Sequence, residues 1–177
     1  MKKNYCIMSL ILLFGCSNSQ TNSSDVTKKN NNEYQLNGVQ IGENLAALKE
    51  KFKNDIIIQN YSDISDLEEC QNRKNILINK SLTSIDIDDN GVVTSINTRN
   101  LKTVDANNVS VGNLESSIKH LTYQIKPKKE FSGDESLEIY SYKIPMKEKK
   151  GFFIYSIDNY KIDSITIESV KHISCYE

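Results

Sequence analysis

A short pattern occurs twice in this chain, and that repetition narrows the available folds more than any other feature. Val39-Gln40-Ile41-Gly42 returns 70 positions later as Val109-Ser110-Val111-Gly112. Asp89-Asn90-Gly91-Val92-Val93-Thr94-Ser95-Ile96 is echoed 69 positions later by Asp158-Asn159-Tyr160-Lys161-Ile162-Asp163-Ser164-Ile165. Two echoes at nearly one offset, in one order, point to an internal duplication. In each copy the glycine permits a sharp turn from an extended segment into a helix. Asn44 and Asn113 stand where an N-cap belongs, since an Asn side chain can accept a bond from an orphaned helix N–H. Leu45, Leu48 and Phe52 then fall on one face at helical spacing, as do Leu114, Ile118 and Leu121.

Alternating patterns place strands at residues 56–61, 76–79, 82–88 and 92–98 in the first copy. In the second copy they fall at 123–126, 137–144, 152–157 and 161–167. Asn90-Gly91 predicts a type I′ hairpin, because both residues tolerate positive φ. The expected fold class is α+β: two tandem helix-plus-antiparallel-sheet repeats forming one module. Repeat 1 covers residues 34–101 and repeat 2 residues 102–177.

The N-terminus carries a different signal. Lys2 and Lys3 precede a nine-residue apolar run from Cys6 to Phe14, far short of the roughly 20 residues of a membrane-spanning helix. Leu13-Phe14-Gly15-Cys16 closes that run and resembles the lipobox of bacterial lipoproteins. The resemblance implies cleavage before Cys16, making residues 1–15 a signal peptide, and lipidation of the Cys16 thiol. Ser17 in place of Asp implies an outer-membrane anchor, with the protein facing the periplasm. Residues 16–33 are almost wholly polar, with Val26 as the one aliphatic residue, and read as a flexible tether.

That reading fixes the cysteine arithmetic. Cys6 leaves with the leader and Cys16 takes the lipid, so Cys70 and Cys175 remain. An even pair in an oxidising compartment reads as a disulfide. Two free thiols, or a metal site with His172, are the competing readings; one His with two Cys does not complete a tetrahedral set. Of the chain's 22 basic residues, Lys2 and Lys3 leave with the first fifteen of its 177 residues. Twenty then stand against 23 acidic ones, a net charge of about −3 that gives nucleic acid no basic face to bind.

Chemistry is hard to assemble from what is left. The two histidines, His120 and His172, fall in the second helix and beside the expected bridge. No Gly-x-Ser-x-Gly elbow, His-Glu-x-x-His pair or phosphate-binding glycine loop is present. Asp86-x-Asp88-x-Asn90-Gly91 opens like a calcium loop, but Asn97 occupies the position that needs a bidentate Glu. The expectation is a protein that is not an enzyme, with no metal, no cofactor and no small-molecule substrate. Asp63, Asp66, Glu68 and Glu69 lead into Cys70 as an acidic segment that a bridge would order in advance. Tyr140 and Tyr142 share one strand face and offer aromatic contact area. These six residues are the expected partner-binding positions.

A tandem pair of units, each opening on an Ile/Val-Gly turn into a helix and continuing into a strand meander, resembles the β-lactamase-inhibitor-protein fold. A single copy resembles the small BamE-like lipoproteins of outer-membrane assembly. A close relative of the inhibitors would carry a disulfide within each repeat, whereas here one bridge spans both. The resemblance implies a fold and a class of function: a non-catalytic module that binds a protein partner in the envelope, as an inhibitor or immunity-type protein against a hydrolase or toxin. The alternative it implies is an accessory of outer-membrane assembly or envelope integrity.

Overall fold

Period-two burial organises the described residues, which in the computed structural model are 32–130 and 139–175. The signal peptide, Cys16 and all but the last two residues of the tether lie outside them. A small hairpin, β1 (Gln35–Leu36) and β2 (Val39–Gln40), precedes helix α1 (Leu45–Phe52). Next come β3 (Ile56–Asn60), β4 (Lys74–Ile78), β5 (Thr83–Ile87) and β6 (Val93–Thr98). The single-turn helix α2 (Lys119–Thr122) is followed by β7 (Lys128–Glu130), β8 (Ile139–Pro145), β9 (Gly151–Asp158) and β10 (Lys161–Ser169). These last eight strands form one antiparallel sheet in the order β3-β4-β5-β6-β10-β9-β8-β7. The fold is therefore α+β.

The sheet order mirrors itself about the β6–β10 pair. There Thr98 faces Ile165 and Ile96 faces Ile167, with Asn97 opposite Thr166 between them. One face is apolar: Ile76, Ile85, Ile96, Ile167, Phe153 and Ile144 lie in one cross-strand row. All are buried with Leu48 of α1 and Ile118, so both helical segments cover this face. Each fully buried Ile contributes about 1.5–3 kcal/mol relative to exposure, which makes this layer the main source of stability.

The two helix entrances use equivalent bonds. Gly42 (φ 87°) donates to the Val93 carbonyl, and Gly112 (φ 85°) donates to that of Ile162. Val93 and Ile162 donate in return to Glu43 and Asn113. Asn44 caps α1 as expected, its side chain accepting the Ala47 N–H at 2.9 Å. Asn113 does not cap a helix. Its side chain accepts the Ser110 N–H at 2.9 Å, just as Glu43 accepts that of Gln40 at 3.1 Å. Asn113 thus corresponds to Glu43, and the second helix lacks a side-chain cap. It begins as a 3₁₀ turn, Glu115–Ile118, with Leu114 exposed ahead of it instead of packed on its face.

Two further local expectations are corrected. Residues 123–126 form no strand, because Gln124 turns at φ 71° and the strand starts only after Pro127, which has no N–H to donate. Gly91, and not Asn90, has positive φ, so the β5–β6 connection is a three-residue loop with Gly91 in the left-handed position. The paired positive φ of a type I′ turn occurs instead at Asn159 and Tyr160, between β9 and β10.

Candidate functional site

Among the described residues, α1 and the second helical segment both lie on the first face and leave the second one free of them. Its central row runs Ile57, Leu77, Ser84, Asn97, Thr166, Ile154 and Lys143 across successive strands. Small hydroxyl and amide groups occupy the middle, where Asn97 donates to Thr166 at 2.7 Å across the central pair. The β8–β10 flank carries a denser group: Lys143 is 2.6 Å from Glu168 and lies 4.3 Å over the Phe152 ring. Arg99 meets Asp163 at 3.1 Å.

Beyond β10 the chain turns back toward β5 and β6, with the His172 N–H bonding the Ser169 carbonyl. The His172 ring is held at both nitrogens: Nδ1 lies 3.2 Å from Thr94 Oγ1 and Nε2 lies 3.6 Å from Asp86. Burial lowers the His172 pKa, with the Asp86 carboxylate pulling the other way. Asp86 also accepts the Tyr61 hydroxyl at 2.5 Å and the Asn75 amide at 2.9 Å. Its neighbour in the calcium-like pattern, Asp88, accepts the backbone N–H groups of Asn90 and Val92. Both carboxylates are turned to protein donors. His120, by contrast, is exposed on α2.

The returning segment ends in the disulfide Cys70–Cys175, which joins residues 105 apart. The two sulfurs are buried with Tyr61 and packed against Leu67, a small apolar cluster separate from the main core. The bridge pins the loop from Tyr61 to Cys70 at the β3–β4 corner of the open face. Further bonds order that loop: Ser65 N–H to the Tyr61 carbonyl, the Gln71 amide to the Ser65 and Leu67 carbonyls, and Arg73 Nε to the Glu69 carbonyl. Asp63, Asp66, Glu68 and Glu69 are all exposed on it. No ion pair among the described residues involves these four, whereas Glu43, Asp55, Asp163 and Glu168 each have a cation within 4 Å.

The tyrosines lie elsewhere. Tyr140 and Tyr142 are half-buried on the helix-covered side of β8, their rings edge-to-face at 5.9 Å. Their hydroxyls donate to the two oxygens of Glu115, at 2.8 and 2.7 Å. Burial and that carboxylate push the Tyr142 hydroxyl up to about 12 and raise that of Tyr140 as well. The acidic segment and the tyrosine pair therefore do not form one patch. They sit toward opposite edges of the sheet, and the tyrosines are occupied in tying the second helical segment to β8.

Asp105, which the sequence did not single out, is fully buried. It accepts the N–H groups of Asn107 and Val109 at 2.9 Å and the Tyr155 hydroxyl at 2.5 Å. Burial raises its pKa against these bonds. Asp105-x-Asn107 is the kind of Asx turn a sequence can reveal, but its link to Tyr155 spans 50 residues. No protein-family model, curated protein or solved structure matches the chain.

Proposed function

We propose that this chain is a non-catalytic protein-binding module that recognises a basic surface on an envelope protein. The reading is an inhibitor or immunity-type protein, anchored through lipid on Cys16 to the outer membrane and facing the periplasm. One observation carries it: four exposed carboxylates, in no ion pair among the described residues, are held in a fixed loop at one corner of the sheet face that α1 and α2 leave free. Ordering before binding removes part of the entropic cost of association, and unpaired carboxylates lose no internal salt bridge when a partner's Lys or Arg arrives. Asp63, Asp66, Glu68 and Glu69 form the binding element. Tyr140 and Tyr142 support the fold around Glu115 and contribute at most their exposed edges. The equivalent backbone bonds at Gly42 and Gly112 support descent of the two halves from one repeated unit.

The test is a crosslinked pull-down from intact cells, comparing the native chain with a variant carrying Asp63→Asn, Asp66→Asn, Glu68→Gln and Glu69→Gln. A soluble partner recovered at equal stoichiometry by the native chain, and lost with the variant, is the expected result. Recovery of outer-membrane barrels instead, equally with both chains, would replace this reading with an assembly role. A Cys16→Ser variant that still sediments with membranes would remove the anchor.

A further inference from the structure

The two outer strands of the sheet are built differently. β7 is three residues long and carries exposed Lys128 and Lys129, a common way of keeping an edge from pairing with another chain. β3 has no such protection. It reads Ile56-Ile57-Ile58-Gln59-Asn60, without charge, proline or bulge, and pairs with β4 in unbroken register. Ile57 is 51% exposed and Ile58 38%. No other described strand pairs with its outer side.

The backbone on that side is available as well. The Tyr61 N–H bonds the Arg73 carbonyl at 3.1 Å. Because bonded pairs alternate along an antiparallel ladder, Ile57 and Gln59 direct their groups to β4, while Ile56, Ile58 and Asn60 direct theirs outward. The charges flanking the strand differ in balance. Lys49, Glu50, Lys51, Lys53 and Asp55 precede it, with Lys51 paired to Glu43 and Asp55 to Lys80, whereas Asp63, Asp66, Glu68 and Glu69 follow it.

We infer that β3 is a self-association edge, at which two copies of this chain pair antiparallel about a two-fold axis through Ile58. That arrangement places Ile56 opposite Asn60 of the second copy and lets the outward N–H and C=O groups bond in both directions. It brings the lysine end of each copy to the acidic end of the other. A parallel arrangement would oppose like charges, so the charge pattern selects the antiparallel one. The pair joins the two open faces into one surface and places Asp63 nearest the second copy. Asp66, Glu68 and Glu69 lie further along the loop.

Sedimentation velocity of the purified full-length chain, over a broad concentration range, tests this directly. A monomer–dimer equilibrium is expected, with Ile58→Lys weakening it by at least about tenfold while leaving the circular dichroism spectrum unchanged. Lys128→Glu, at the far edge, should leave association as it is. Lys53→Glu and Asp63→Lys should each weaken the dimer, and together they should restore it. On mild oxidation, Ile58→Cys should give a species of doubled mass on a non-reducing gel. A chain that stays monomeric at every concentration overturns the inference, as does a dimer that withstands Ile58→Lys. Failure of the double charge variant to recover association overturns the antiparallel orientation. None of these outcomes depends on an envelope partner.

Discussion

Removing the Cys70–Cys175 bridge has a calculable consequence. The cleanest perturbation is Cys70→Ala with Cys175→Ala, because both positions are buried in an apolar cluster and serine would add hydroxyls without partners. For a loop of 105 residues, the chain-entropy model assigns the bridge about 4.7 kcal/mol, acting through the unfolded state. The native side changes less, since His172 still bonds Thr94 and Asp86 and holds the terminal segment in place. Allowing for engineered bridges that deliver less than the model, the expected loss is about 3–5 kcal/mol. At about 2.1 cal/mol/K per residue over the described residues, that lowers Tm by roughly 10–17 °C. Urea titration and thermal melts followed by circular dichroism read both quantities. Because the loss arises in the unfolded chain, the urea m-value should rise and refolding should slow. A double variant within about 1 kcal/mol of the native chain would refute the reasoning. So would a full loss of stability that appeared only as faster unfolding.

Three further perturbations follow from the buried groups. Asp105 has a raised pKa in the fold, so folding takes up a proton there; its contribution is greatest below the unfolded value of about 4 and is lost as pH rises through the folded value. Asp105→Asn should flatten that decline in urea titrations across this range, and an unchanged slope would sink the assignment. His172 has a lowered pKa, so its contribution is present above about 6.5 and is lost as pH falls through the folded value. His172→Gln should therefore remove stability loss on mild acidification, and a variant as acid-sensitive as the native chain would contradict this. Glu115→Gln should weaken both tyrosine bonds, cost roughly 1–3 kcal/mol and bring the Tyr142 hydroxyl down from about 12. Phenolate absorbance during alkaline titration measures the last effect directly.

Most strands could be read from the sequence because alternation reports burial on one face: β5 and β9 alternate strictly, while β4, β6 and β10 keep buried isoleucines on that face and bury some residues of the other as well. The disulfide was legible from cysteine counting. Local geometry was harder. Asn113 mimics an N-cap, yet its side chain bonds backward to Ser110 because the helix starts one residue later than the motif suggests. Asn90-Gly91 reads as a two-residue turn, but Asp88 accepts two loop N–H groups and widens it. The candidate binding surface was only half visible. Composition reveals the acidic segment, whereas its place at the rim of an open face depends on β3 occupying the sheet edge. Tyr140 and Tyr142 share a strand face as expected, but only tertiary contact assigns that face to Glu115.

The β6–β10 pair has a kinetic meaning. Adjacent strands β4–β5, β5–β6, β8–β9 and β9–β10 meet through short connections, whereas Thr98 and Ile165, or Ser95 and Glu168, must find each other across most of half the chain. Loop-closure entropy opposes that encounter until both meanders can supply a ready-made edge. Zipping this central seam should therefore govern the folding rate. Truncating Ile96 or Ile167 would slow refolding, while equivalent truncations within either meander would mainly hasten unfolding.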